Sequence, residues 1–114
     1  MKLLVLPGDG IGPEIVEATV AALEALDDAR GLRLSLEHAE IGLAALAAHG
    51  TAVPDDVTAR AFEADGVLLG PVSTEHYPPA AEGGINASAW FRTRMDLYCN
   101  MRPSRTLPGV PARG

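Results

Sequence analysis

Residues 85–114 carry a concentration of arginine that suits the binding of small carboxylates. They contain five arginines, no lysine and a single acid, Asp96. The first 84 residues have the opposite balance, since four basic residues stand against fourteen acids there. The planar guanidinium of arginine pairs with a carboxylate through two hydrogen bonds. The segment therefore predicts either a binding site for a small polyanion or a solvated basic surface.

Within this segment, Ser88 and Arg92 are four residues apart in a stretch, 85–95, that we predict to be helical. That spacing places both side chains on one helix face, where they reach the same ligand. Asn86 lies half a turn earlier, near the helix N-terminus, where backbone amides favour an anion. The three residues can therefore reach one anionic ligand.

A second candidate binding site is the glycine-rich loop GDGIGPE that begins at Gly8, which we compare with the phosphate-binding loop of dinucleotide-binding proteins. Gly8 and Gly10 match the first two positions of the dinucleotide fingerprint GxGxxG, but Pro13 occupies the third position and Gly12 comes one residue too early. Asp9, inside the loop, would oppose a phosphate that approached the amides. The loop is therefore predicted to be a tight strand-to-helix turn with proline in the first helical turn, not a Rossmann phosphate loop.

The elements that must position these residues alternate along the chain. Apolar periodicity predicts strands at 2–7, 32–37 and 67–69, and helices at 13–30, 42–49, 54–64 and 85–95. This order indicates an α/β domain with a largely parallel sheet and flanking helices. The stripe predicted to face the sheet from the first helix comprises Val16, Val20, Leu23 and Asp27, with Ile15, Thr19, Ala22 and Leu26 alongside.

Bulk composition narrows the class of partner. The length suits one modest domain, and a formal charge of −6 argues against nucleic acid or an anionic membrane as the partner. Pro7, Gly8 and Asp9 interrupt the early apolar run, so neither a signal peptide nor a membrane span is predicted. The single cysteine, Cys99, makes no internal disulfide and indicates a reducing compartment, so we expect a cytoplasmic protein.

Three strings cover nearly the whole chain and resemble one family. They are LPGDGIGPEI after the first strand, VLLGPVST from Val67 to Thr74, and FRTRMDLYCNMRP from Phe91 to Pro103. In this order and at these distances they resemble the isocitrate/isopropylmalate dehydrogenases, the β-decarboxylating hydroxyacid dehydrogenases, and most of all the isopropylmalate branch. The resemblance implies the fold of that family, with residues 1–114 as a truncated amino-terminal part of it.

The resemblance also implies an activity and its cofactors. The enzyme would oxidise and decarboxylate a 3-substituted malate such as 3-isopropylmalate, a dicarboxylate or tricarboxylate, with NAD or NADP and with Mg²⁺ or Mn²⁺. It would act in leucine biosynthesis as a homodimer. The alternative hypothesis is a non-catalytic α/β fragment that binds a carboxylate weakly or docks with a separate carboxyl-terminal half.

Site residues carried over from the family fall into two groups. Those implied to bind substrate are Arg92, Arg102, Ser88 and Asn86, and those implied to lie near the cofactor are Ser73, Thr74 and Ile85. The isopropylmalate branch has leucines at the places of Ser88 and Ala89, so this chain departs from it there. The family's catalytic Tyr and Lys and its metal-binding aspartates would lie beyond residue 114, so no catalytic or metal-binding residue is assigned here.

The remaining features of the arginine-rich segment are expected to be structural. We predict that Arg94 and Arg105 are solvated or structural, that Trp90 belongs to the core, and that Cys99 is a buried thiol without a redox role. A chain with only part of its sheet is further expected to leave an apolar sheet face exposed.

Overall fold

The computed structural model describes residues 1–103, 105–106 and 108–109, in which three strands and four α-helices alternate. Two short 3-10 turns, Thr74–His76 and Ala80–Glu82, precede the last helix. The bounds are β1 Lys2–Leu6, α1 Gly12–Arg30, β2 Ser35–His38, α2 Leu43–His49, α3 Asp55–Glu63, β3 Gly66–Leu69 and α4 Ala87–Arg94. The predicted α/β class is confirmed.

The three strands form a parallel sheet in the order β2-β1-β3. In its register, Leu4 of the central strand lies between Glu37 of β2 and Val67 of β3. The connection from β1 to β2 runs to one side, and the connection from β2 to β3 crosses back to the other. Because such crossovers are right-handed, α1 covers one face of the sheet while α2 and α3 cover the other. The chain thus changes direction beside the carboxyl end of β1, where α/β proteins bind ligands.

The main core lies on the face of the sheet opposite to α1. Leu4 and Leu6 point to this face because strand side chains alternate, and both are fully buried. The buried residues packed with them come from the loops and helices of that face: Ile41, Val53, Val57, Ala61, Ala87 and Phe91. The shared core therefore fixes α4, the helix that carries Ser88 and Arg92, against the central strand.

Helix α1 begins and ends where the sequence predicts. Pro13 occupies its first turn, and Gly31 ends it in the left-handed conformation with φ 64°. Only one of the two predicted apolar rows faces the protein, with Val16 buried and Val20, Leu23 and Asp27 half-buried. The second row is exposed, namely Ile15, Thr19, Ala22 and Leu26. The prediction of a wide buried stripe was therefore wrong, because a single three-stranded sheet contacts only one edge of this helix.

Strand β2 begins three residues later than predicted. Leu32 is exposed and Arg33 has a positive φ of 57°, so neither belongs to the strand. The cause is Asp27, whose carboxylate accepts the backbone N–H groups of Arg33 at 2.7 Å and Leu34 at 2.9 Å. A residue predicted to belong to an apolar stripe thus shapes the turn between α1 and β2.

The other predicted elements occur within two residues of their expected positions. The stretch from Gly70 to Gly84 contains both 3-10 turns. None of the helices in the described ranges is both long and apolar enough to cross a membrane.

Large apolar side chains are exposed, but they do not lie on the sheet face as expected. The side chains of β3 are half-buried, because helices cover both faces. The exposed ones belong to the chain start, to helices and to loops: Met1, Ile11, Ile15, Leu26, Leu32, Leu43, Phe62, Leu97, Tyr98 and Met101.

Candidate functional site

Helix α4 brings Ser88 and Arg92 to the same cavity, as their spacing predicts. The Nε group of Arg92 donates a hydrogen bond to the carbonyl oxygen of Ser88 at 3.1 Å. Both residues line a cavity of about 270 Å³ between α4 and β3. Its other walls are mainly apolar: Ala64, Asp65, Gly66, Val67, Leu69, Phe91, Met95 and Leu97. The arrangement can hold a small carboxylate whose remaining part is apolar.

The guanidinium of Arg92 is available to an anion at this cavity. Among the described residues, no carboxylate lies within 4.0 Å of it. The one acid that lines the cavity, Asp65, already accepts the backbone N–H of Lys2 at 2.7 Å. The Nε of exposed Arg92 is bonded to the Ser88 carbonyl, so its two terminal NH₂ groups are the ones that can form charge-assisted hydrogen bonds to an incoming carboxylate.

Asn86 and Ile85 lie at a different cavity from Ser88 and Arg92. They line an open cavity of about 480 Å³ together with Trp90 and Thr93. The side-chain oxygen of Asn86 accepts the backbone N–H of Ala89 at 3.1 Å and caps the N-terminus of α4. In this structure Asn86 therefore supports the helix that carries Arg92.

Loss of this cap should weaken the fold measurably. Replacing Asn86 by alanine is expected to reduce the free energy of unfolding by about 1 kcal/mol, because the N–H of Ala89 loses its acceptor. Replacing it by aspartate, which also caps helices, should preserve most of that stability. Urea denaturation of the 114-residue chain followed by circular dichroism measures both, and equal losses in the two variants would contradict the capping role.

Arg94, Arg102 and Arg105 do not line the Ser88–Arg92 cavity. Arg102 is exposed in the segment that follows α4, outside any helix or strand. Arg94 stacks on the ring of Trp90, with its guanidinium carbon 4.2 Å from the ring centroid, which agrees with a structural role. The structure thus brings Ser88 and Arg92 together and does not bring Arg102 to them.

Trp90 and Cys99, on either side of the end of α4, differ in burial. Trp90 packs against the core as predicted, although it is only half-buried, and its Nε1 donates to the hydroxyl of Thr58 at 3.2 Å. Cys99 is exposed, so the prediction of a buried thiol was wrong. Helix α4, which packs onto the core, ends at Arg94. Cys99 follows in a segment that no described element covers.

The glycine-rich loop is a closed turn, and its aspartate is buried inside it. Gly8 and Gly10 have positive φ angles of 77° and 57°, which fold the backbone around Asp9. The Asp9 carboxylate accepts hydrogen bonds from the backbone N–H of Leu43 at 2.7 Å, from the backbone N–H of Ser73 at 3.0 Å and from the hydroxyl of Tyr77. The Asp9 carboxylate is thus bound by amides from the start of α2 and from the loop after β3, and by a phenol, all outside its own loop.

Glycines allow this loop to pack closely on the sheet. A Cβ atom at Gly8 would overlap the carbonyl oxygen of Pro71, and one at Gly12 would overlap that of Pro7. Gly12, which lies one residue before the third fingerprint position, therefore performs the close packing that a glycine performs there in a Rossmann loop. The exclusion of a Rossmann loop at Pro13 agrees with this structure.

Of the residues predicted to lie near the cofactor, Ser73 meets this loop, through its backbone N–H. Ser73 is half-buried and precedes the 3-10 turn that contains Thr74, which is exposed. Tyr77 ends the turn, and burial, followed by the hydrogen bond to Asp9, raises the pKa of its phenol well above the ordinary value. The sequence analysis did not predict the contact between Asp9 and this segment. The only local signal for it is an acid that lies between two glycines, directly after an apolar strand.

The described residues do not form a metal centre by themselves. Within the described ranges, no group of three or more His, Cys, Asp or Glu side chains could hold a metal ion. The acids with resolved partners bind backbone amides or basic side chains, as Asp9, Asp27 and Glu37 do. The donor set for the implied Mg²⁺ or Mn²⁺ is therefore not found among these residues.

Comparisons with known proteins agree on one family. The family model described as isocitrate/isopropylmalate dehydrogenase matches residues 2–113. The 3-isopropylmalate dehydrogenase of Desulfotalea psychrophila is 40% identical over 97% of this chain and 32% of its own length, and that of Vibrio cholerae is 37% identical over 97% and 31%. The crystal structure of a beta-decarboxylating dehydrogenase from Thermococcus kodakarensis superposes with a TM-score of 0.69 at 28% identity, covering 85% of this chain and 27% of that one. The chain thus spans about a third of the length of the relatives it matches.

Proposed function

Because the chain belongs to the isocitrate/isopropylmalate dehydrogenase family, we propose that it forms part of an enzyme that oxidises and decarboxylates a 3-substituted malate. The proposed substrate is 3-isopropylmalate, the compound named in the relatives, and the oxidant is NAD or NADP. The observation that carries the proposal is the shared cavity of Ser88 and Arg92. It offers a charged group for a carboxylate beside apolar walls that suit an alkyl substituent.

In this proposal, Arg92 binds one substrate carboxylate through two hydrogen bonds, and Ser88 supplies a hydroxyl on the same wall. Arg102 binds a second carboxylate once the segment after α4 is placed over the cavity. These contacts would hold the substrate with its carbinol C–H bond directed to the side where the dinucleotide would bind and supply a hydride acceptor. Loss of the hydroxyl proton leaves a ketone, and loss of carbon dioxide from the adjacent position follows. We assign the groups that transfer protons, and the ligands of the divalent cation, to parts of the enzyme outside these 114 residues.

The cofactor is proposed to approach along the loop that contains Ser73 and Thr74. The hydroxyl of exposed Thr74 suits a ribose hydroxyl, and half-buried Ile85 offers an apolar contact near the open second cavity. Asn86 supports this side by capping α4. The expected homodimer and cytoplasmic location also belong to this proposal.

A second candidate function is a non-catalytic fragment that binds carboxylates weakly or docks with a separate carboxyl-terminal half. In this candidate, Ser88 and Arg92 bind the carboxylate at their shared cavity without turnover. The two candidates differ in whether the chain supports turnover once the rest of the enzyme is supplied.

The activity of a chimera distinguishes the two candidate functions. In the chimera, this chain replaces the matching amino-terminal segment of the Desulfotalea psychrophila relative. The chimera is expected to reduce NAD or NADP with 3-isopropylmalate and Mg²⁺, and the 114-residue chain alone is expected to show no turnover. The relative itself is the positive control, and isocitrate and tartrate test the choice of substrate. A folded chimera that is inactive on all three acids would contradict the proposed function and favour the fragment.

A further inference from the structure

Asp9 is the one buried charged side chain within the described ranges, and the proposed reaction does not use it. Only 6% of its surface is exposed. A buried carboxylate is costly unless it is fully hydrogen-bonded, so its surroundings must be arranged to receive it. The structure shows such an arrangement, because three donors meet at its two oxygens.

The three donors come from parts of the chain that are far apart in sequence. Leu43 opens helix α2, 34 residues after Asp9, while Ser73 and Tyr77 flank the first 3-10 turn, 64 and 68 residues after it. The two donors from the 3-10 turn share Oδ2, and the amide of Leu43 binds Oδ1. A single side chain thus joins the carboxyl end of β1, the start of α2 and the loop after β3.

Steric fit supports the same junction from both sides. Gly42, just before α2, has φ 79°, and a Cβ atom there would overlap the Asp9 carboxylate. On the other side, the backbone N–H of Asp9 donates to the carbonyl oxygen of Pro71 at 2.8 Å. Both the backbone N–H and the side-chain carboxylate of Asp9 therefore bind the segment from Pro71 to Tyr77.

We infer that Asp9 is a positioning residue that holds the segment Ser73–Tyr77 against the carboxyl end of β1 and so presents Ser73 and Thr74 to the dinucleotide. The role in cofactor binding rests on the proposed function; the attachment of the segment does not. Without the carboxylate, the N–H of Ser73 has no acceptor and Tyr77 loses its partner. The segment then detaches from the turn while the core around Leu4 and Leu6 stays packed.

Amide hydrogen exchange of the 114-residue chain tests the attachment. Replacing Asp9 by asparagine is expected to speed exchange of the Ser73 amide by about 100-fold, because asparagine keeps one acceptor oxygen for three donors and its NH₂ group faces the remaining donors without accepting from them. Tyr77→Phe, which removes one of the three donors and leaves the core untouched, should speed it by about tenfold. Exchange at Leu4 and Val5 in the central strand should stay unchanged in Tyr77→Phe.

Tyr98→Phe is the matched control, because it makes the same chemical change at a fully exposed tyrosine. It should leave exchange at Ser73 unchanged. If Asp9→Asn does not fold, Tyr77→Phe decides the question against this control. Equal exchange rates at Ser73 in the Tyr77→Phe and Tyr98→Phe chains would overturn the inference.

A phenol titration gives a spectroscopic signature of the contact. In a Tyr98→Phe chain, Tyr77 is the single remaining tyrosine, and burial together with Asp9 and Glu75 raises its pKa. Adding Asp9→Asn is expected to lower that pKa by about one unit or more, because the negative acceptor is lost. A lost fold would instead return the phenol to its ordinary pKa of about 10, so circular dichroism at each pH accompanies the titration. An unchanged pKa in a folded double variant contradicts the contact.

The cofactor role is tested by kinetics of the enzyme that contains this chain. Tyr77→Phe is expected to raise KM for the dinucleotide about tenfold while KM for the carboxylic acid stays constant. A merely structural loss would lower the amount of active enzyme, and thus apparent kcat, without changing either KM. Faster exchange at Ser73 combined with an unchanged dinucleotide KM would overturn the role in cofactor binding. An enzyme with no dinucleotide-dependent turnover would instead refute the proposed function and leave the attachment of the segment to the exchange experiment.

Discussion

Replacing Gly8 by alanine should lower the free energy of unfolding of the chain by about 3 kcal/mol, which is a large share of the stability of a small domain. Gly8 has a positive φ of 77°, and a Cβ atom there would overlap the carbonyl oxygen of Pro71. That oxygen belongs to the backbone of the loop after β3, so relief requires the loop to move away. The movement would also lengthen the hydrogen bond from the N–H of Asp9 to the same oxygen.

Gly31 provides the matched control for this substitution. It has nearly the same backbone conformation, with φ 64°, but a Cβ atom there meets nothing within 4 Å. Gly31→Ala should therefore cost only the left-handed conformation itself, about 1 kcal/mol. Chemical denaturation of the two variants beside the parent chain measures the difference. Equal losses of stability would mean that the loop after β3 does not pack against Gly8. The description of a closed glycine-rich turn would then be wrong.

Replacing Arg92 by alanine in the chimera should reduce kcat/KM for 3-isopropylmalate by about 100-fold, the largest functional effect expected in this chain. The guanidinium would otherwise form two charge-assisted hydrogen bonds to a substrate carboxylate at a mostly apolar wall. Arg92→Lys should recover only part of the activity, because an ammonium cannot make the paired contact. Steady-state kinetics with saturating dinucleotide measures all three proteins.

Arg94 is the control for charge. It lies two residues further along the same helix and stacks on Trp90 instead of lining the Ser88–Arg92 cavity. Arg94→Ala removes the same charge and should change kcat/KM by no more than about twofold. If the two alanine variants lose activity equally, the effect is one of net charge, and Arg92 does not bind the substrate.

Local sequence patterns were sufficient for most of the elements. Proline in the first turn and glycine after the last turn predict both ends of α1, because each acts through its own backbone conformation. The four-residue spacing of Ser88 and Arg92 places them on one face, since helical geometry depends on nothing outside the helix. The three family strings are equally local, and the family they resemble is the one whose model matches residues 2–113.

Errors arose where a side chain found a partner outside its own element. Asp27 was counted in an apolar stripe, yet its carboxylate binds two backbone amides after the helix and delays β2. The resemblance predicts a buried thiol at Cys99, between Tyr98 and Asn100, but no described element packs over it. Periodicity records which side chains share a face, and it does not record what lies opposite that face.

By itself, the sequence determined the alternation of strands and helices, the common face of Ser88 and Arg92, and the closed form of a glycine loop that contains Pro13. Only the tertiary structure decided what that loop holds. The sheet order β2-β1-β3 brings the start of α2 and the segment after β3 to the carboxyl end of the same strand. Donors 34 to 68 residues away therefore converge on Asp9. The reason is physical: desolvating a carboxylate is tolerated only where several donors are brought together, and chain topology alone brings these three together.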